Sequence, residues 1–255
     1  MSKFFVPANS PEDWKQLLAQ PEKHWRTGYS AKSLAYCWQV ADDFPKSVKM
    51  AFTSSNIPPF QNIELIAAFP EYKVALPGGR RASQNDIFCL AKAGDNLVSV
   101  MVEGKVSESF GELIKNWKSE YTPGKQARLS FLCELLGVDA NKMDTIRYQL
   151  VHRTASAIIE AKEFNAKNAL MLVHSFSQNN DGFDDYCQFL ALFGVIGKIN
   201  ALVFAKNING IGLYFSWVRD NFNDTLQPGT NFYEKVVAAE EKYGVLAGNP
   251  NRLKK

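Results

Sequence analysis

The pattern of hydrophobic and polar residues changes near residue 59. Before that point, Ser10 followed by a proline and two acidic residues predicts a capped helix. Further helices are predicted over residues 31–41 and 45–52. After that point, short apolar stretches typical of strands alternate with helical stretches. The pattern therefore predicts an N-terminal helical segment, residues 1–58, packed on a core domain, residues 59–255.

The second part predicts a sheet covered by helices on both faces. Residues 60–69 are interpreted as a short amphipathic helix that ends at Pro70, and residues 72–76 as the first strand. A strand–turn–strand unit follows over residues 86–106. The remaining predicted elements are helices over residues 110–117, 123–136, 144–164 and 183–193, strands over residues 169–173, 201–205 and 213–218, and a last helix from residue 228. This order predicts the α/β class, as a three-layer α/β/α arrangement around a central mixed sheet.

The clearest local signal is the hairpin in this second part. Two apolar, strand-like stretches flank Gly94-Asp95, a two-residue turn with glycine at its first central position. Such a turn sets the register of the strands, so Asp86 is predicted to lie directly opposite Glu103, with Cβ atoms roughly 4.5–5.5 Å apart. Lys105 follows two positions after Glu103 and therefore points to the same face.

Two carboxylates held this close repel each other, and a divalent cation compensates such repulsion well. Mg²⁺ takes oxygen ligands, often one or two carboxylates together with substrate phosphate. Asp86 and Glu103 are therefore candidate ligands for Mg²⁺ or Mn²⁺, and the backbone carbonyl of Gly104 is a candidate third ligand. A lysine at the position of Lys105 can orient or deprotonate a water molecule. Together these groups suit metal-assisted hydrolysis of a phosphodiester.

This set of residues resembles the D…(D/E)xK signature of the PD-(D/E)XK nuclease superfamily. Asp86 matches its first acid, and Glu103-Gly104-Lys105 matches the tripeptide at the end of the next strand. The resemblance implies that Asp86 and Glu103 bind the metal and that Lys105 is the catalytic lysine. One departure is Asn85, which stands where the signature has proline.

The resemblance extends to the order of the elements. The predicted order over residues 60–175 is similar to the restriction-endonuclease-like αβββαβ core of that superfamily. Residues 148–154 and the tripeptide also resemble an uncharacterised bacterial family placed within it. The implied substrate is nucleic acid, with DNA favoured over RNA.

Further residues each allow a functional and a plain structural interpretation. Many members of the superfamily place an acid in the helix before the first strand, so Glu64 is a candidate metal ligand by resemblance, or else a solvated surface residue. Gln149, His152 and Arg153 share one face of the helix predicted from residue 144. They are candidates for binding substrate phosphate, or for a solvated helix surface.

The loop before the hairpin carries two arginines. Arg80 and Arg81 precede Asp86 closely enough to contact a phosphate backbone, or they belong to a solvated loop. His174, at the end of an apolar strand, fits a hydrogen-bonded structural role better than a catalytic one. His24 is also interpreted as structural.

Composition narrows the function less than the hairpin does. A net charge of +3 on 255 residues is compatible with a nucleic-acid partner but does not identify one. The four cysteines include no CxxC pair, which argues against a zinc ribbon and favours reduced thiols in a cytoplasmic protein. No apolar run reaches the roughly 18–20 residues that cross a bilayer, and no secretory signal is evident. A homodimer is compatible with the sequence.

Two functions remain open at this point. The first is a Mg²⁺- or Mn²⁺-dependent nuclease, and the second is a catalytically inactive protein of the same fold that acts as a binding or interaction module. Serine-hydrolase, P-loop and dinucleotide-binding motifs do not occur in the sequence.

Overall fold

The computed structural model of the chain describes residues 8–220, and the helix predicted from residue 228 lies outside them. At its centre is one six-stranded mixed sheet with the order β1-β2-β3-β4-β6-β5. The strands are β1 (Ile63–Val74), β2 (Ser83–Ala93), β3 (Asn96–Lys105), β4 (Asn168–Ser175), β5 (Ala201–Ile208) and β6 (Ile211–Arg219).

Helices cover both faces of the sheet, which confirms the α/β class. The helices are a 3-10 helix (Pro11–Leu17), α1 (Pro21–His24), α2 (Ser30–Gln39), α3 (Lys46–Ser54), α4 (Pro58–Gln61), α5 (Ile114–Trp117), α6 (Pro123–Leu136), a second 3-10 helix (Ala140–Lys142), α7 (Tyr148–Glu163) and α8 (Phe183–Ala191). The helices before β1 share one apolar cluster with the sheet, and those after β3 share a second cluster on the opposite face. Burial of these two faces is the main source of stability.

The strands pair in two ways. β1, β2 and β3 are antiparallel neighbours, whereas β4 lies parallel to β3 and to β6. A parallel neighbour requires a crossover, and α7 lies on this connection and packs on β3 and β4. Every residue of β4 is buried, which explains the uninterrupted apolar run over residues 169–173.

The prediction of a helix over residues 60–69 is wrong, because residues 63–69 belong to β1 and only residues 60–61 are helical, at the end of α4. Ile63 and Leu65 are buried and Glu64 is exposed, so the segment has the two-residue alternation of a strand. Its leucine, alanine and glutamate residues favour helices, but pairing along the whole of β2 outweighs that preference. Pro70 is tolerated because β1 is an edge strand.

The hairpin register agrees with the prediction along the whole ladder, but the ladder ends one pair before Asp86 and Glu103, so the predicted direct pairing of these two residues does not form. Ala93 pairs with Asn96 across the turn, and Ile87 pairs with Val102 at the far end of the ladder. Gly94 adopts a φ of 60°, the left-handed conformation that such a turn requires.

Beyond Ile87 and Val102 the two strands of the hairpin diverge. β2 continues along β1 as far as the pair of Ser83 with Val74, while β3 continues along β4 as far as Lys105. The divergence opens a fork between neighbouring strands. The positions before Ile87 and after Val102 line this fork, and these are the positions of Asp86 and Glu103.

Two helices are shorter than predicted because backbone groups in that part of the chain pair with each other. The amide of Ile114 donates to the carbonyl of Ile146, and the amide of Tyr148 donates to the carbonyl of Glu112. The helix predicted from residue 144 therefore begins at Tyr148, and the one predicted over residues 110–117 is reduced to α5. Pairing between segments this far apart in the sequence has no local sequence signal.

The N-terminal helices pack closely on the hairpin at Gly104. A Cβ at this position would lie 2.8 Å from Leu34 Cγ in α2. We expect Gly104→Ala to destabilise the protein by about 1–3 kcal/mol, because overpacking forces neighbouring groups to move. Urea unfolding of Gly104→Ala, Leu34→Ala and the double variant measures the coupling, which we expect to be favourable. Strictly additive costs would contradict this contact.

Two further features bear on the sequence predictions. Within residues 8–220, no helix has both the length and the apolar character needed to cross a membrane. All four cysteines are free thiols, and Cys187 is the one that is partly exposed.

Candidate active site

A cleft of about 520 Å³ lies over the fork between β2 and β3. Part of its wall comes from the N-terminal helical layer and part from α5, α7 and the segment after β3. The side chains at its floor come from four elements and are Glu71, Asp86, Glu103, Lys105, Gln149 and Arg153. The cleft therefore contains the predicted catalytic residues together with one acid that was not predicted.

Glu103 is the most enclosed acid of the cleft. Its Oε1 accepts a hydrogen bond from Lys105 Nζ at 2.6 Å, and its Oε2 accepts one from Arg153 Nε at 2.5 Å. Burial opposes ionisation, but Arg153 and Lys105 outweigh it and hold the pKa of Glu103 below its ordinary value. Glu103 is therefore a carboxylate with a cation on each oxygen.

Asp86 lies across the fork from Glu103 in a different electrostatic setting. Its Oδ2 accepts a hydrogen bond from the Gly104 amide at 2.7 Å, in place of backbone pairing between the diverged strands. Burial, and then repulsion from Glu103, raise the pKa of Asp86 to about 7, against the opposing effect of Arg153 and Lys105. Asp86 therefore holds a proton more readily than an ordinary aspartate.

Glu71 is a third acid that the sequence prediction missed. In β1 it falls between Pro70, which pairs with Ile87, and Tyr72, so it stands opposite Asp86. Gln84 Nε2 donates to its Oε2 at 2.5 Å. Burial, and then repulsion from Asp86, raise the pKa of Glu71 to about 8. Glu71 lies beside Asp86 because residues 63–74 form a strand that pairs with β2.

The backbone at Glu71 is itself unusual, since its φ of 53° lies in the left-handed region. A residue other than glycine in a sparsely populated region costs about 1–3 kcal/mol, and such residues cluster at functional sites. The strain is consistent with a side chain turned toward the cleft at the expense of regular strand geometry.

Lys105 is held in place from three sides. Besides Glu103, its Nζ donates to Gln149 Oε1 at 3.2 Å and lies 4.8 Å from the centre of the Phe110 ring. A buried ammonium with these partners has little freedom to turn toward solvent. The predicted position of Lys105 beside Glu103 is therefore confirmed.

The three residues predicted on α7 differ in their contacts. Gln149 and Arg153 reach Lys105 and Glu103 directly. His152 Nδ1 lies 2.7 Å from Ser83 Oγ, which also accepts a hydrogen bond from Ser156 Oγ at 2.9 Å. Burial, assisted by the charge of Arg153, lowers the pKa of His152, so its ring is neutral. His152 lines the cleft but is tied to β2.

Glu64 is not brought into the site, which corrects its interpretation as a metal ligand. It is exposed in β1 and pairs with Lys92, six residues from Asp86 along β2. At about 3.4 Å per residue this is a separation of about 20 Å.

Arg80 and Arg81 are exposed in the loop between β1 and β2, and they are not among the described residues that line the cleft. Arg128 of α6 holds this loop through the carbonyls of Pro77 and Gly79. A role for the two arginines in substrate binding stays a prediction.

A second cluster of potential metal ligands lies on the opposite face of the sheet. Ligand atoms of Cys37, His174 and Asp220 lie within 4.8 Å of one another. Trp38 Nε1 donates to His174 Nδ1 at 3.0 Å, so the ring proton is on Nε2, which faces Asp220 at 3.2 Å. A metal at Nε2 would have to displace that proton while Trp38 blocks its transfer to Nδ1. The cluster is therefore a hydrogen-bonded structural network, as predicted for His174.

The raised pKa values of Asp86 and Glu71 predict a pH-dependent stability without metal. Unfolded carboxyl groups titrate near pH 4, whereas the folded groups retain protons up to about pH 7 and pH 8. Between about pH 5 and pH 8 the native state binds more protons than the unfolded state, so the free energy of unfolding falls as pH rises. Urea unfolding in the presence of chelator measures this slope.

Asp86→Asn is the matched variant for this measurement. Its amide keeps the size of the carboxyl group and an acceptor for Gly104 but does not titrate. We expect a shallower decline over the same pH range, and Mn²⁺ added to the unsubstituted protein at pH 8 should restore stability. Parallel pH profiles for the two proteins would contradict the assigned titration.

Comparison with known protein families finds a match that spans the residues of the cleft floor. A family model described as a domain of unknown function (DUF6946) matches residues 7–222, which include every residue of the cleft floor. No curated protein and no solved structure matches the chain. Because the match covers most of the sequence, the chain belongs to the DUF6946 family.

Proposed function

We propose that the protein is a metal-dependent nuclease that hydrolyses phosphodiester bonds. The observation that carries this proposal is the fork: Asp86 and Glu103 face each other where β2 and β3 diverge, and Lys105 Nζ lies 2.6 Å from Glu103. These are the residues of the D…(D/E)xK signature. Charged side chains this deeply buried are costly unless they have a function or full pairing.

The topology supports the proposal. Three antiparallel strands, β1 to β3, followed by the crossover helix α7 and the parallel strand β4, agree with the βββαβ part of the restriction-endonuclease-like core. The counterpart proposed for the helix that precedes these strands in that core is α3 with α4, in place of the helix predicted over residues 60–69.

The donor set fits a hard divalent cation such as Mg²⁺ or Mn²⁺. Asp86 and Glu103 would hold it, with Glu71 as a further ligand. Asp86 Oδ1 and Glu71 Oε1 accept no hydrogen bond from the described residues. The N–H and C=O of one strand residue point to the same neighbour, so the carbonyl of Gly104 faces Asp86 and completes the set.

A bound cation would lower the pKa of a water molecule and neutralise charge on the phosphoryl oxygens. The protein's own groups have separate tasks. Lys105, oriented by Gln149, donates to the attacking water or to a phosphoryl oxygen. Arg153 fixes Glu103 through Nε, and its remaining N–H groups suit a substrate phosphate. Nucleic acid, with DNA favoured, is the proposed substrate.

One observation favours the second candidate, an interaction module without catalytic activity. Both oxygens of Glu103 already have cationic partners, so its charge is balanced by protein groups alone. A cation must then share Glu103 with Lys105 and Arg153, for which each oxygen has a second lone pair.

A titration with Mn²⁺ separates the two candidates. We expect chelator-treated protein to bind Mn²⁺ with release of protons, since Asp86 and Glu71 must ionise. Labelled DNA and RNA should then be hydrolysed with Mn²⁺ or Mg²⁺ and spared with excess chelator. Absence of metal uptake would favour the interaction module.

A further inference from the structure

We infer that the cleft accepts the terminal nucleotide of a single strand and not an internal segment of a duplex. This inference rests on the proposed nuclease function and specifies its substrate class. It depends on the depth and size of the cleft, on its charge and on the aromatic surface of its wall.

The reactive groups lie deep in a small space. Glu103, Lys105 and Arg153 are 2%, 4% and 6% exposed, respectively. The cleft volume of about 520 Å³ lies within the range of about 300–1,000 Å³ typical of pockets for drug-sized ligands. A single nucleotide is of that size. A B-form duplex is much larger, since its major groove alone is about 12 Å wide.

The N-terminal layer narrows the approach. Leu18 and His24 of this layer line the cleft together with Tyr148 of α7. The layer is fastened to the core, because Glu108 accepts hydrogen bonds from the amides of Ser30 and Val106 at 2.8 and 2.7 Å. A substrate must therefore enter past an anchored layer, which an unpaired chain end can do more easily than a continuous helix.

The charge of the cleft also disfavours a long polyanion. Its lining includes five carboxyl groups, those of Glu71, Asp86, Glu103, Glu108 and Glu112, and two basic side chains, those of Lys105 and Arg153. Proteins that track a nucleic-acid backbone instead present a basic groove, one cation for each contacted phosphate. Two cations and bound metal suit one phosphodiester and not an extended run of them.

An aromatic pair provides a surface for an unpaired base. The rings of Trp117 and Tyr148 stack with centroids 4.3 Å apart at 13°, so each covers one face of the other, and both line the cleft while remaining partly exposed. Lys125 Nζ lies 5.5 Å from the centre of the Trp117 ring and the centre of the His152 ring lies 4.7 Å from that of Tyr148, so a base that stacks on Trp117 displaces the Lys125 side chain. Aromatic side chains bind single strands of any sequence, because every base has a face that can stack. A paired base in a duplex has no free face to offer.

The test compares one DNA sequence in three forms, with the full chain and Mn²⁺. We expect the linear single strand to be shortened from an end, and the ligated single-stranded circle and the blunt duplex to be spared. Trp117→Leu should raise KM for the linear strand about tenfold, with kcat retained. Tyr121→Leu, an exposed aromatic position that is not part of the cleft lining, should leave KM unchanged.

The outcomes distinguish this inference from the proposed function. Cleavage of the circle or of the duplex at the rate of the linear strand would leave a nuclease but overturn the preference for an end. An unchanged KM in Trp117→Leu would overturn the stacking role. No hydrolysis of any form, with intact Mn²⁺ binding, would overturn the proposed function and this inference with it.

Discussion

The Lys105→Ala variant is expected to lose metal-dependent hydrolysis by about 10²–10⁴-fold, the usual contribution of a positioned acid–base group. Lys105 touches Glu103 and Gln149 at the cleft floor and is 4% exposed, so solvent offers no easy substitute for its ammonium group. Initial rates on labelled DNA with Mn²⁺ measure the loss. Lys92→Ala is the matched control, since Lys92 is exposed at the turn end of β2.

Measuring Mn²⁺ binding by the same variants distinguishes a loss of catalysis from a loss of the folded site. Lys105→Ala should still bind Mn²⁺, because its candidate ligands are intact, whereas Asp86→Asn should lose both Mn²⁺ binding and hydrolysis. Both variants should remain folded by circular dichroism. Activity that survives both substitutions would exclude the proposed mechanism.

The second large effect is on stability. Arg153→Met is expected to lower the free energy of unfolding by about 3–5 kcal/mol, because it removes one of the two cations paired with a buried carboxylate. Glu103 is 2% exposed and Arg153 is 6% exposed, so the lost guanidinium leaves a carboxylate that solvent can reach only through the cleft. Urea unfolding at pH 7 without metal measures the change. The double variant Glu103→Gln/Arg153→Met should recover part of it.

A surface ion pair is the control for this prediction. Lys118 Nζ lies 2.5 Å from Asp144 Oδ1, but these side chains are 32% and 53% exposed. Exposed pairs contribute about 0–1 kcal/mol, so Lys118→Met should have little effect. Equal costs for Arg153→Met and Lys118→Met would mean that burial does not strengthen the dependence of Glu103 on its partner.

Part of the site could be predicted because the interactions that form it are local. A two-residue turn at Gly94-Asp95 leaves one register for the strands on either side, and that register brings Asp86 and Glu103 to the first positions past the end of the ladder, with Lys105 on the same face as Glu103. The spacing of Gln149 and Arg153 on one helix face is equally local. Neither conclusion needed knowledge of more distant chain segments.

Other features depend on contacts between distant segments. Residues 63–74 form a strand because β2 offers them a partner, and this pairing alone brings Glu71 beside Asp86 and leaves Glu64 at the far end. The helix from residue 144 begins late because its first backbone groups pair with the segment around Ile114. Local preference is weak compared with such tertiary contacts.

The sequence by itself determined the α/β class, the hairpin and the row of Asp86, Glu103 and Lys105, since turn length and strand alternation act over a few residues. Only the tertiary structure decided that β2 and β3 diverge at this row, that Glu71 joins it, and that the N-terminal helices form one wall of the cleft. These features depend on which segments pair at a given sheet edge or pack on a given apolar face. The free energies of such contacts depend on residues far apart in the sequence, and therefore on the whole fold.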